Sequence, residues 1–207
     1  MFLAGAGIAA AGLAIPLASS APIGRVLTPA SAVPSRAPDL TMPRLFPRAM
    51  AALDAHAGQV AHRDRIGVVD FASASSEPRF HLVDLASGDV SSHLVAHGSG
   101  SDPDRSGWLQ RFSNQPDSNA SSRGAYLTAA EYTGKHGRSR RLIGLDADNS
   151  MAEPRAIVIH AADYVSEAMA AAQGRIGRSQ GCFAFAASAL GEIMDRLGPG
   201  RLIFAWK

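Results

Sequence analysis

The spacing of apolar residues changes along this chain, and each change marks an element. Leu45, Met50, Leu53 and Val60 recur at near-helical spacing in an Ala-rich stretch after Pro43, which predicts a helix. Ile66-Gly67-Val68-Val69-Asp70-Phe71-Ala72 reads as a strand, and Phe80 to Leu85 alternates as a second. Ser87-Gly88-Asp89 has turn composition before a third strand, Val90 to Val95, so the second and third strands form a hairpin. From His97 to Arg123 Gly, Ser, Asp and Asn dominate, which predicts a long functional or mobile loop. Tyr126–Tyr132 and Arg141–Leu145 read as short strands, and Ala156-Ile157-Val158-Ile159-His160 as a strand with a histidine at its end. Cys182 to Leu197 is Ala-rich and predicts a helix stopped by Gly198-Pro199-Gly200, and Leu202 to Trp206 closes the chain as a strand. Several strands, two or three helices and no βαβ rhythm predict a mainly β, α+β fold with flanking helices.

The N-terminal pattern differs. Met1 to Ala21 is a Gly- and Ala-rich apolar run that closes on Ser19-Ser20-Ala21, the form of a secretory signal without its positive first region. Its apolar part, Phe2 to Leu17, is shorter than the ~20 residues that span a bilayer, and it contains Pro16. Residues 22–42 carry Pro22, Pro29, Pro34 and Pro38, which hold a chain extended, and predict a linker. Ala30-Ser31-Ala32 is a second small-residue site at which a signal could be cut. A compact domain is therefore expected over residues 43–207, in a protein delivered to the periplasm or cell envelope with no stable membrane span.

Composition narrows the functions. The chain has 207 residues, 46% hydrophobic and 18% charged, an ordinary globular balance. Lys plus Arg number 20 against 18 acidic residues, so the net charge is +2 and the pI near 9.0 reflects a small excess. The densest basic cluster, Lys135, His136, Arg138, Arg140 and Arg141, lacks the interleaved aromatics of a nucleic-acid binder. One cysteine, Cys182, excludes an internal disulfide framework and a multi-cysteine zinc site. His93 and His97 are poorly spaced to chelate one metal on a strand, and no His-Glu-x-x-His motif is present, so no metal or cofactor is expected.

The chemistry converges on His160 and Cys182, which lie 22 positions apart. A thiol in the first turn of a helix meets unpaired N–H groups and the positive end of the dipole, and both favour the thiolate. Gly181 lets amides turn inward as an oxyanion hole, and His160 would take and return the proton. A lone cysteine in an apolar Gly-Cys-Phe-Ala-Phe-Ala context, or a lone histidine, is more often structural. The ordered combination is more specific: an apolar strand ending in His, a connecting segment, then Gly177-Arg178-Ser179-Gln180-Gly181-Cys182.

These motifs resemble the catalytic signature of the YkuD-type L,D-transpeptidases, in the branch of murein L,D-transpeptidase catalytic domain proteins. His97-Gly98-Ser99-Gly100, Phe112-Ser113-Asn114 and Gly134-Lys135-His136-Gly137 add to the resemblance, which covers roughly residues 65 to 183. It implies a β-sandwich catalytic domain acting on peptidoglycan stem peptides through a thioester acyl-enzyme. In that pattern Cys182 matches the nucleophile, His160 the base, Gly181 the oxyanion-hole glycine and Ser179 the Ser/Thr of the core. Arg178, His97 and His136 are candidates for substrate contact, Arg178 because its planar fork suits a carboxylate. The chain departs from the wider family at Gln180, where a histidine is common, and at Phe183-Ala184, where an arginine often follows the cysteine. The acceptor is an amine in a transpeptidase and water in an L,D-carboxypeptidase. A catalytically silent envelope-binding module is the third reading.

Overall fold

The computed structural model describes Met42 and residues 44–207. The expected signal segment lies outside the described residues, as does the expected linker apart from Met42. The elements are α1 (Phe46–Ala55), β1 (Arg65–Asp70), β2 (Phe80–Asp84), β3 (Val90–His93), β4 (Gly124–Gly134), β5 (Gly137–Gly144), β6 (Val158–Ala161), α2 (Glu167–Gln173), β7 (Phe183–Phe185), α3 (Ala187–Arg196) and β8 (Leu202–Trp206). All eight strands join one sheet in the order β3-β2-β1-β8-β4-β5-β6-β7. Ala96, just past β3, donates its N–H to the Ala184 carbonyl of β7 at 2.9 Å, so the two sheet edges meet and the sheet is nearly a closed barrel. Meeting edges leave less unpaired backbone exposed.

The period of two in β1 and β8 divides the core. Ile66, Val68, Leu202 and Phe204 face Ala49 and Leu53 of α1. Val69, Ile203 and Ala205 face the other way, toward Phe71, Phe80, Phe183, Phe185 and the α3 residues Leu190, Ile193 and Met194. The parallel β1–β8 pair is thus covered on both faces, which is why both strands read as continuous apolar runs.

Three elements differ from the sequence reading. The segment from Cys182 does not begin a helix: Phe183–Phe185 is a strand parallel to β6, and α3 starts only at Ala187. Phe183 and Phe185 both point into the core, with ring centroids 5.2 Å from Tyr126 and 4.8 Å from Phe80, while Ala184 packs on the opposite face beside Ala96. That alternation outweighs the helix propensity of the surrounding alanines. The second difference is α2, capped by Ser166, whose hydroxyl accepts the Met169 N–H, and ended at Gly174. The third is the β4–β5 hairpin, which is longer than the two short strands expected and carries an irregularity between Thr128 and Glu131.

Phe185 is fully buried against Phe80. Replacing it with alanine should cost about 3–5 kcal/mol of stability, measured by urea unfolding, with the transition staying cooperative.

Candidate active site

The chain before Cys182 is held by its own side chains. The Ser179 hydroxyl accepts the Gly181 N–H at 3.1 Å and donates to the Cys182 carbonyl at 2.7 Å, which fixes the turn that presents the thiol. Gly181 has φ +111, and a Cβ there would lie 2.8 Å from the Ala120 carbonyl oxygen and from Ile157. Both the backbone conformation and the space therefore demand glycine.

Ser179 also pairs with the start of the long loop. Its N–H donates to the His97 carbonyl at 2.9 Å, and Ser99 N–H donates to the Ser179 carbonyl at 2.8 Å. Beneath that pairing lies a buried polar chain. Arg79, 0% exposed, donates to the Val95 carbonyl and, at 2.7 Å, to His97 Nδ1. Nδ1 must therefore accept, which leaves the proton on Nε2 to be donated to Asp102 Oδ2 at 3.3 Å. Asp102 further accepts N–H groups from Ser106 at 2.8 Å and Gly107 at 2.9 Å. Burial, then the neighbouring Arg79, pulls the His97 pKa down to about 4, so its ring is neutral. Burial acts against the Asp102 carboxylate, but the Gly107 and Ser106 donors outweigh it and hold the pKa below the ordinary value. His97, expected to touch substrate, is fully buried and cannot; it anchors the loop instead. The spacing of His93 and His97 likewise has a non-metal explanation, since His93 Nε2 meets Ser91 Oγ at 3.2 Å.

His160 and Cys182 open onto one cleft of about 460 Å³, lined also by Arg178, Ser179, His136 and Tyr164. His160 on β6 is paired with Ala184 on β7, and Cys182 precedes Ala184 by two residues, so strand alternation turns both side chains to the same face. His160 Nδ1 donates to the Ala161 carbonyl at 2.8 Å, so a backbone group orients the imidazole and Nε2 is left to accept a proton. The exposed His136 ring, at the β4–β5 turn, stacks on it with centroids 4.2 Å apart. Burial lowers the His160 pKa against the pull of that carbonyl, and His136 and Lys135 lower it further. Cys182 is half-buried, with Sγ 3.6 Å from the Ala156 carbonyl oxygen. Burial pushes its thiol pKa up, opposed by the Val158 N–H and the charges of Lys135 and Arg155.

Two sequence expectations are thereby corrected. No helix begins at Cys182, so no helix dipole favours its thiolate, and burial disfavours the charged form of the thiol and of the His160 imidazole alike. The Gly181 amide is engaged by Ser179 rather than free for an oxyanion, whereas the Cys182 amide has no partner among the described residues.

Some cleft residues carry no signal in the sequence. Arg155 donates to the Ser113 carbonyl at 2.9 Å, to Ser122 Oγ at 2.8 Å and to the Ala120 carbonyl, tying the far end of the long loop to the cleft wall. Tyr164 accepts the Gly177 N–H on its carbonyl at 2.7 Å, and burial raises its phenol to about 12. Both stand outside any recognisable spacing, because the contacts that place them come from segments distant in the chain.

His97 ties stability to pH. In the folded state it titrates at about 4 against an ordinary 6.5, so the unfolded chain binds its proton first as pH falls. Stability should decline from pH 6.5 to 4, with His97 accounting for roughly 3 kcal/mol of the loss. A His97→Gln variant, followed by urea unfolding across that window, should show a shallower slope. Separately, Ser179→Ala should cost about 1 kcal/mol of stability by removing the two hydrogen bonds that hold the Cys182 turn. Thermal unfolding of the variant against the parent checks this.

A family model described as the L,D-transpeptidase catalytic domain matches residues 39–206. No curated protein matches the chain. Among solved structures, an L,D-transpeptidase from Mycobacterium smegmatis is similar at 14% identity over 70% of this chain and 59% of that one, with a TM-score of 0.43. L,D-transpeptidase 1 of Mycobacterium tuberculosis is similar at 13% identity over 70% of this chain and 62% of its own, with a TM-score of 0.38. The helical cell shape determining protein Pgp2 of Campylobacter jejuni is similar at 9% identity over 77% of this chain and 54% of its own, with a TM-score of 0.43. The chain thus spans less than two thirds of the length of these structures. On the match that runs through nearly all of the described residues, the chain belongs to the L,D-transpeptidase catalytic domain family.

Proposed function

We propose that the protein is a cysteine-dependent L,D-transpeptidase of the cell envelope acting on peptidoglycan stem peptides. The observation that carries this reading is the thiol of Cys182 and the imidazole of His160 facing one cleft, with the imidazole pinned at Nδ1 and its Nε2 available. Cys182 Sγ attacks the carbonyl of the L-centre that precedes a terminal D-alanine, and its proton passes to His160 Nε2. The developing oxyanion takes a hydrogen bond from the Cys182 amide. The C–N bond breaks, His160 returns the proton to the departing amine, and a thioester remains. An amine of a second stem peptide then attacks the thioester, gives its proton to His160, and releases the thiol. Water in that step would yield a carboxypeptidase product.

The raised thiol and lowered imidazole pKa suit this sequence, because neither group is ionised until substrate arrives. Ser179 acts as a positioning residue through the turn, and Arg178 contacts a substrate carboxylate at the edge of the cleft. His136 covers the imidazole from the solvent side. The signal and linker read over residues 1–42 fit delivery to the compartment where such a substrate occurs.

Incubation of the full chain with a disaccharide-tetrapeptide, followed by mass spectrometry, tests the reading. A cross-linked dimer and an acyl adduct on Cys182 are expected; a tripeptide alone would mark a carboxypeptidase, and an unmodified thiol with intact substrate would sink the enzyme reading. Cys182→Ala should abolish turnover with the unfolding midpoint nearly unchanged. In the free protein, alkylation of Cys182 by iodoacetamide should keep rising above pH 9, the thiol's ordinary value, rather than level off near neutrality.

A further inference from the structure

The Cys182 thiol has one hydrogen-bond acceptor among the described residues, and it is not His160. Sγ donates to the Ala156 carbonyl oxygen at 3.6 Å, while the bonded nitrogen of His160 serves Ala161. No backbone N–H among the described residues donates to that Ala156 oxygen. An uncommon backbone aims it. Ala156 has φ +53, and only Arg105, Asp117 and Asn119 share a positive φ among the described non-glycine residues. Asp and Asn take this conformation more readily because a short polar side chain can bond locally, and alanine has no such help. The surrounding structure holds it there instead. The Ala156 N–H donates to the Glu153 carbonyl and the Ile157 N–H to the Ala152 carbonyl, each at 2.9 Å. Those paired bonds close a helical turn on a left-handed residue. Arg155 anchors the same turn, with its N–H on the Met151 carbonyl at 2.9 Å and its guanidinium on Ser113, Ser122 and Ala120. The direction of the Ala156 carbonyl is therefore fixed, in the cleft that His160 and Cys182 share.

We propose that Ala156 is a positioning residue: its left-handed backbone turns the carbonyl onto the Cys182 thiol and holds the proton on sulfur, away from His160, until substrate enters. The proposal rests on the transpeptidase reading only for the thiol's role as nucleophile. An S–H group is a weak donor with a single proton, so it serves the carbonyl or the imidazole but not both. At rest the carbonyl has it. Attack then requires the thiol to turn. The hydrogen bond to Ala156 breaks, and the proton passes to His160 Nε2 as sulfur bonds to the substrate carbon. A hydrogen bond made by the neutral form, and the negative end of a carbonyl dipole beside sulfur, both disfavour the thiolate. The nucleophile is thereby kept from oxidation and stray alkylation, which act on the thiolate.

Raman spectroscopy of the free protein reads this bond directly, because a chain with one cysteine has one S–H stretching band. The band should lie below that of an alkanethiol in an apolar solvent, and His160→Gln should leave it unmoved. Ala156→Gly, which adopts the left-handed backbone readily, should keep the low band. Ala156→Val, whose β-branched side chain opposes that backbone, should return the band to the free position. Alkylation by iodoacetamide at neutral pH should stay at the parent rate in Ala156→Gly. In Ala156→Val it should rise about tenfold, as the midpoint of its pH profile falls by about one unit. A free-thiol band in the parent, a band that moves on His160→Gln, or a low band that survives in folded Ala156→Val would overturn the proposal. Should Ala156→Val not fold, the parent and His160→Gln spectra decide alone. None of these readings needs substrate, so a missing acyl adduct on Cys182 would sink the nucleophile role and leave the hydrogen bond standing.

Discussion

The candidate site depends on a buried polar chain that touches no substrate. Arg79, His97 and Asp102 are each fully buried and bonded in series, so the loop that begins at His97 is locked to β3's continuation at Val95. That loop then pairs with Ser179 on both sides, and Ser179 holds the Cys182 turn. A buried cation and a buried anion separated by a neutral imidazole are tolerable only because the polar atoms that join them have partners. Loss of Arg79 or Asp102 would leave a charge unmatched in the interior and loosen the support of the Cys182 turn.

The pair itself is governed by desolvation. Burial disfavours the thiolate and the imidazolium alike, so the interior holds both groups neutral. Lys135 and Arg155 partly offset this for the thiol and Lys135 works against a proton on the imidazole.

Much of the frame was legible beforehand. β1, β2, β8 and the strand ending at His160 follow directly from apolar runs that are buried almost throughout, and α1 covers the middle of the helix read from Leu45 to Val60. The Phe-Ala-Phe strand was hidden because a three-residue alternation inside an Ala-rich stretch is too short to compete with helix propensity. It becomes a strand only because β6 offers a parallel partner and two aromatic rings offer a core. The same event moved Cys182 from a helix end to a strand end and reversed the expected direction of its pKa shift.

Residue types and their order singled out the candidate side chains: one thiol, one histidine closing an apolar strand, and a glycine before the thiol whose φ +111 only glycine adopts without strain. Such local requirements are written in the chain because they act through neighbours in sequence. The tertiary structure alone decided the environment. It buried His97 instead of exposing it and brought Arg155 and Tyr164 to the cleft. Burial and long-range charge arise from segments far apart in sequence, and no spacing along the chain encodes them.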